Sequence, residues 1–161
     1  MKTHFIALIA AMYVSAPARA DTVLQILPAL AAAHAGLEES DESRATLAGT
    51  DADGDGIRDD VAARIDRAYA ADNYLRGQAR TMASGYQLLV AGSLSAKQAQ
   101  AQLVRIERAQ DCIASRGADP RSGAAFLLPH QLNTYQRSKA YLEAARTAQS
   151  RLGHYDFKPC D

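Results

Sequence analysis

Between positions 75 and 89 the apolar residues Leu75, Ala79, Met82, Tyr86 and Leu89 recur at spacings of four, three, four and three. A second set, Ala99, Leu103, Ile106, Ala109 and Ile113, keeps the same period after a break at Gly92-Ser93-Leu94-Ser95. Such spacings line up side chains on one face of an α-helix, whereas a half-buried strand needs strict alternation. No part of the chain shows sustained alternation of β-branched residues. Ser95 and Gln98 form an S-x-x-Q capping box at the start of the second helix, and Gly117 and Pro120 end it. An earlier helix is expected from Asp60, with Val61, Ile65 and Ala68 or Tyr69 on one face. The last helix is expected to begin near Pro129, turn Leu132, Tyr135, Leu142, Ala145 and Leu152 inward, and stop at Gly153. Residues 22–34 suit a short helix interrupted at Pro28. Gly77 and Gly85 each cost ~1 kcal/mol relative to Ala inside a helix, so close helix approach is the expected reason for them. The fold expected is all-α, a bundle of four or five helices.

The N-terminus reads as an address. Met1-Lys2 supplies a positive start, residues 5–14 an apolar stretch, and Ala18-Arg19-Ala20 a small-x-small cleavage site, which together describe a secretory signal peptide over residues 1–20. Asp21 after the cut is not a cysteine, so the lipid-anchored route is closed and a periplasmic or secreted product is expected. No stretch of the mature chain reaches the ~20 apolar residues of a membrane span. With 161 residues there is room for a single domain, residues 21–161. It divides into an N-terminal helical segment (21–50), an acidic loop (51–60), the helical bundle (61–153) and a tail (154–161).

Charge is balanced overall, with 18 Lys+Arg against 18 Asp+Glu, which argues against a general nucleic-acid binder. Its distribution is uneven. Residues 38–60 hold nine acids against Arg44 and Arg58, and residues 61–161 hold 14 basic side chains against eight acids. Cys112 and Cys160 are the two cysteines, and an even count in an exported chain reads as one disulfide. It would tether the tail and stabilise the fold by roughly 4 kcal/mol on the chain-entropy account.

The acidic loop carries the chemistry. In Asp51-Ala52-Asp53-Gly54-Asp55-Gly56-Ile57-Arg58-Asp59-Asp60, carboxylates stand at the first, third, fifth and ninth places, and Gly56 at the sixth permits a sharp turn that brings the Ile57 carbonyl inward. Asp51, Asp53, Asp55, Ile57 and Asp59 are therefore the candidate metal ligands. A set of hard oxygens with no nearby Cys or His favours Ca2+ over zinc, and a crowded protein shell favours it over magnesium.

This loop resembles the D-x-D-x-D-G-x-x-D calcium loops of EF-hand-like modules, dockerins, thrombospondin type 3 repeats and integrin propellers. The likeness covers about ten residues and implies ion binding alone. Ala62 occupies the twelfth place, where an EF-hand has a bidentate Glu, and Arg58 occupies the eighth. With no second loop, a single structural site is implied and not a paired sensor. The longer string from Leu47 to Val61, with Asn133-Thr134, Arg137 and Ala140-Tyr141, also resembles a group of uncharacterised exported bacterial helical proteins. That likeness supports the fold and implies no activity.

Catalytic patterns are weak. His34, His130 and His154 have no metal-ligand spacing, and there is no G-x-S-x-G, P-loop, G-x-G-x-x-G or H-E-x-x-H. Arg64, Arg67, Arg76, Arg80, Arg105, Arg108, Arg137, Arg146 and Arg151 fall mostly off the apolar stripes and are expected outside, in helical pairs such as Arg64 with Asp60 and Arg108 with Asp111. Arg outnumbers Lys 14 to 4, which suits bidentate recognition of an acidic partner. The expected function is a non-enzymatic, calcium-stabilised exported module that binds a protein or cell-envelope component. The alternative is a small periplasmic hydrolase using a carboxylate in or near Asp51–Asp60, and the position of Asp60 discriminates between them.

Overall fold

Amphipathic stripes this short bury only by packing on one another. In a computed structural model, which describes residues 38–117, 123–149 and 160, they do so as six helices. These are α1 (Asp41–Arg44), α2 (Asp59–Ala68), α3 (Asn73–Ala91), α4 (Ala96–Ala114), α5 (Ala124–Gln131) and α6 (Tyr135–Gln149), and no strand occurs among the described residues. None of these helices is long and apolar enough to cross a membrane. The expected signal peptide (1–20), the helix expected over 22–34, Leu152, Gly153 and the tail apart from Cys160 lie outside the described residues.

Helices α3 and α4 form the largest contact, and α6 packs on both. The stripe on α3 buries Ala79, Met82, Tyr86 and Leu89, with Leu75 partly covered, and that on α4 buries Ala99, Ile106, Ala109 and Ile113. Val61 and Ile65 of α2, Tyr69 just beyond it, and Leu127 of α5 complete the centre. Asp72 caps α3 by accepting from the Leu75 N–H at 2.9 Å, and the Ser95–Gln98 capping box is formed in both directions. At Gly85 a β-carbon would stand 2.8 Å from Ile106 Cγ1, so the glycine is what lets α3 and α4 approach. Gly77 has nothing within 4 Å of such a carbon, so close approach does not account for it.

The C-terminal third departs from expectation. Pro129 lies inside a separate helix, α5, and the chain breaks over Leu132-Asn133-Thr134 before α6 begins at Tyr135. Thr134 Oγ1 accepts the Arg137 N–H at 3.2 Å, a cap that restarts the helix in a new phase. Counting across the break therefore misassigns the buried face. Tyr135 is 78% exposed and Leu142 52% exposed; Ala145 is buried as expected, and so are Ala148 and, against expectation, Arg137.

Cys112 of α4 and Cys160 are joined, with sulfurs 2.07 Å apart and Cα atoms 5.4 Å apart. The disulfide thus holds the penultimate residue against the bundle, as the cysteine count implied.

Candidate functional site

Backbone N–H groups left free by a tight turn are taken up here by aspartate side chains. Asp51 accepts from Gly56 at 2.9 Å and from Asp55 at 3.2 Å, Asp53 also accepts from Asp55 at 3.2 Å, and Asp59 accepts from Ala52 at 3.0 Å. Gly56 adopts φ +80°, the left-handed turn that a side chain would strain. The wrapping brings carboxylate oxygens of Asp51, Asp53 and Asp59 within 4.8 Å of one another. Three oxygens so spaced share a point within about 2.8 Å of each, a few tenths of an ångström beyond the ~2.3–2.6 Å of calcium coordination.

Asp55 stands apart from this trio. One of its oxygens accepts the Ile57 N–H at 2.8 Å, and the other pairs with Arg80 at 2.5 Å. Arg80 is in turn held by Asp66 at 2.7 Å. Ile57 is buried in the core, which anchors the loop's second half.

Behind the loop lies a buried ion cluster that sequence reasoning missed. Arg58, placed between Ile57 and Asp59, is fully buried. Its Nε and Nη2 donate to the two oxygens of Asp60 at 2.7 and 2.9 Å, and Nη2 also donates to the His130 carbonyl at 2.8 Å. Arg58 Nε stands 3.4 Å from Glu39, whose side chain is only 2% exposed. Glu39 is shared with the second buried guanidinium: Arg137 Nη1 is 2.7 Å from one of its oxygens and 2.8 Å from the other. Ser43 Oγ and Asn133 Nδ2 also donate to Glu39, at 2.7 and 2.6 Å. Two cations and two anions thus balance, as buried charges must.

Arg137 does more than neutralise Glu39. Its remaining donors reach the carbonyls of Ser43, Thr46 and Leu47 at 2.8, 2.9 and 3.2 Å, and Asn133 Oδ1 at 2.7 Å. The segment 39–50, which contains the single-turn α1, is therefore strapped to the start of α6 through this side chain. Gly49 lets this segment lie on the methylenes of Arg58, since a β-carbon there would fall on Arg58 Cδ and Cγ. Signals for the cluster existed, namely an Arg at the eighth loop place and one in phase with Tyr141, Ala144 and Ala148 on α6. Reading Arg137 as surface followed from the misplaced start of that helix.

Burial pushes the Glu39 carboxyl up, but the hydrogen bonds from Ser43, Asn133 and Arg137 and the charge of Arg58 outweigh it and hold the group below the ordinary glutamate value. A folded-state pKa below the unfolded one adds stability at higher pH that is lost as pH falls through the folded value. Thermal stability is therefore expected to decline on acidification below about pH 4.5. Glu39→Gln should start lower and decline less over that interval; melting curves from about pH 3 to 6 check it, and equal slopes would remove Glu39 as a contributor.

Beside the loop, Glu38, Glu39, Asp59 and Asp60 help line a cleft of about 360 Å³. Both oxygens of Asp60 are engaged by Arg58, and both oxygens of Glu39 by its partners. His130, expected at a helix start, is half-buried near the end of α5, edge-on to Phe126, and burial with the nearby Arg64 and Arg58 charges lowers its pKa against the pull of Asp60. No protein-family model, curated protein or solved structure matches this chain.

Proposed function

We propose that this is an exported, non-enzymatic helical module that a calcium ion stabilises, acting in the periplasm or outside the cell by binding a protein or envelope component. The observation that carries the reading is the convergence of Asp51, Asp53 and Asp59 oxygens within 4.8 Å at the mouth of a loop continuous with a buried ion cluster. An ion bound there offsets the repulsion among the three carboxylates and stiffens the turn that sets Arg58 in place. The disulfide fits an oxidising compartment. The engagement of both Asp60 oxygens by Arg58 favours a structural role for that acid over acid–base chemistry.

With three carboxylates and Ala62 at the twelfth place, the affinity expected is in the ~10⁻⁴–10⁻³ M range of extracellular calcium modules. At a hundred times its dissociation constant, calcium should stabilise the fold by about 2.7 kcal/mol, raising the melting temperature, and chelator should reverse the change. Asp53→Ala should abolish the response without unfolding the bundle, because Asp53 is exposed and the hydrogen bond it accepts lies within the loop. Thermal unfolding indifferent to both calcium and chelator would sink the reading.

A further inference from the structure

Away from the acidic loop, a groove of about 330 Å³ runs between α3 and α4, and Arg105, Arg108, Gln78 and Thr81 bring side-chain donors to its edge. Arg105, Arg108, Ala109 and Cys112 follow at spacings of three, four and seven, so one face of α4 forms one side. Gln78 and Thr81, three apart on α3, face them, and Cys160 closes the end through its bond to Cys112. Both guanidinium groups are exposed, and neither forms an ion pair among the described residues; the helical pair expected between Arg108 and Asp111 is not made. Among the described residues, no carboxylate lines the groove. Arg58, Arg80 and Arg137, by contrast, are each committed to acids, and Arg116 lies over the Tyr74 ring at 4.1 Å.

The geometry points to an anion site here, with a phosphate monoester group as its ligand. Two like charges one helical turn apart repel, and an oxyanion between them removes the repulsion. A dianion neutralises both guanidinium groups, where a single carboxylate neutralises one. Tetrahedral oxygens can also meet donors from both sides of a groove, the Arg forks from α4 and the Gln78 amide and Thr81 hydroxyl from α3. The site is independent of the calcium reading, because it shares no residue with the loop.

The test titrates the full mature chain with inorganic phosphate at constant ionic strength and follows backbone amide shifts. Saturable binding is expected, with shifts centred on residues 78–81 and 105–112, and Arg105→Gln/Arg108→Gln should weaken it by roughly tenfold or more. Arg146→Gln, an exposed arginine on α6, should leave it unchanged. A second arm compares vesicles of phosphatidylcholine with and without phosphatidic acid. Binding to the phosphatidic acid vesicles as well as to free phosphate assigns the group to lipid, and binding to free phosphate alone assigns it to a soluble ester. Absence of saturable phosphate binding, or binding unaltered in the double variant, overturns the site.

Discussion

Arg137→Ala is expected to cost about 3–5 kcal/mol of stability, the range for removing one partner of a buried ion pair. The loss removes the closest cation from the Glu39 carboxylate, leaving Arg58 at 3.4 Å and Arg44 at 3.9 Å, and it takes a donor from the carbonyls of Ser43, Thr46 and Leu47 and from Asn133 Oδ1. A drop of roughly 10–15 °C in melting temperature follows for a domain of this size. Arg137→Lys should fall between the two, because an ammonium keeps the charge but cannot span acceptors arrayed around a planar fork. Hydrogen exchange should accelerate first in residues 39–50, the segment that this side chain straps down. A cost below about 1 kcal/mol, in the range of exposed pairs, would show that the cluster is not what holds that segment. The same variants read on the calcium response ask whether loop and cluster act together, since Arg58 belongs to both.

Cys112→Ala/Cys160→Ser should cost nearly as much by a different route. Closing a loop over a sequence separation of 48 restricts the unfolded chain, which the entropy account values at about 4 kcal/mol. The expected fall in melting temperature is about 10 °C, and reductant on the native protein should reproduce it. Unlike the arginine variant, this one should leave exchange in residues 39–50 unaltered well below the melting temperature, since its effect lies mainly in the unfolded state. Melting curves of variant and reduced native protein that differ by less than about 0.5 kcal/mol from the oxidised form would reduce the bond to a tether for the tail.

Local spacing determined the elements whose signals are complete within a few turns of chain. The stripes of α3 and α4 place Ala79, Met82, Tyr86, Ala99 and Ile106 inside, and the Ser95–Gln98 box closes as the S-x-x-Q pattern requires. Helix periodicity and capping depend on neighbours three or four residues away, so they can be read in sequence order. The even cysteine count led to the single disulfide, and the alternation of Asp51 and Asp53 with Asp59 beyond the turn brought three carboxylates together. Asp55 escaped that logic because Arg80, 25 residues away, competes for its second oxygen. The phase of α6 escaped it because a three-residue break resets the angular count, and with it went Tyr135 and Leu142 as core residues, although Ala145 stayed inside. Above all, burial of Arg58 and Arg137 was a tertiary decision. A guanidinium reads as surface in any local pattern, and becomes core only where distant acceptors meet it; Glu39 lies 98 residues from Arg137 in sequence and 2.8 Å from it in the fold.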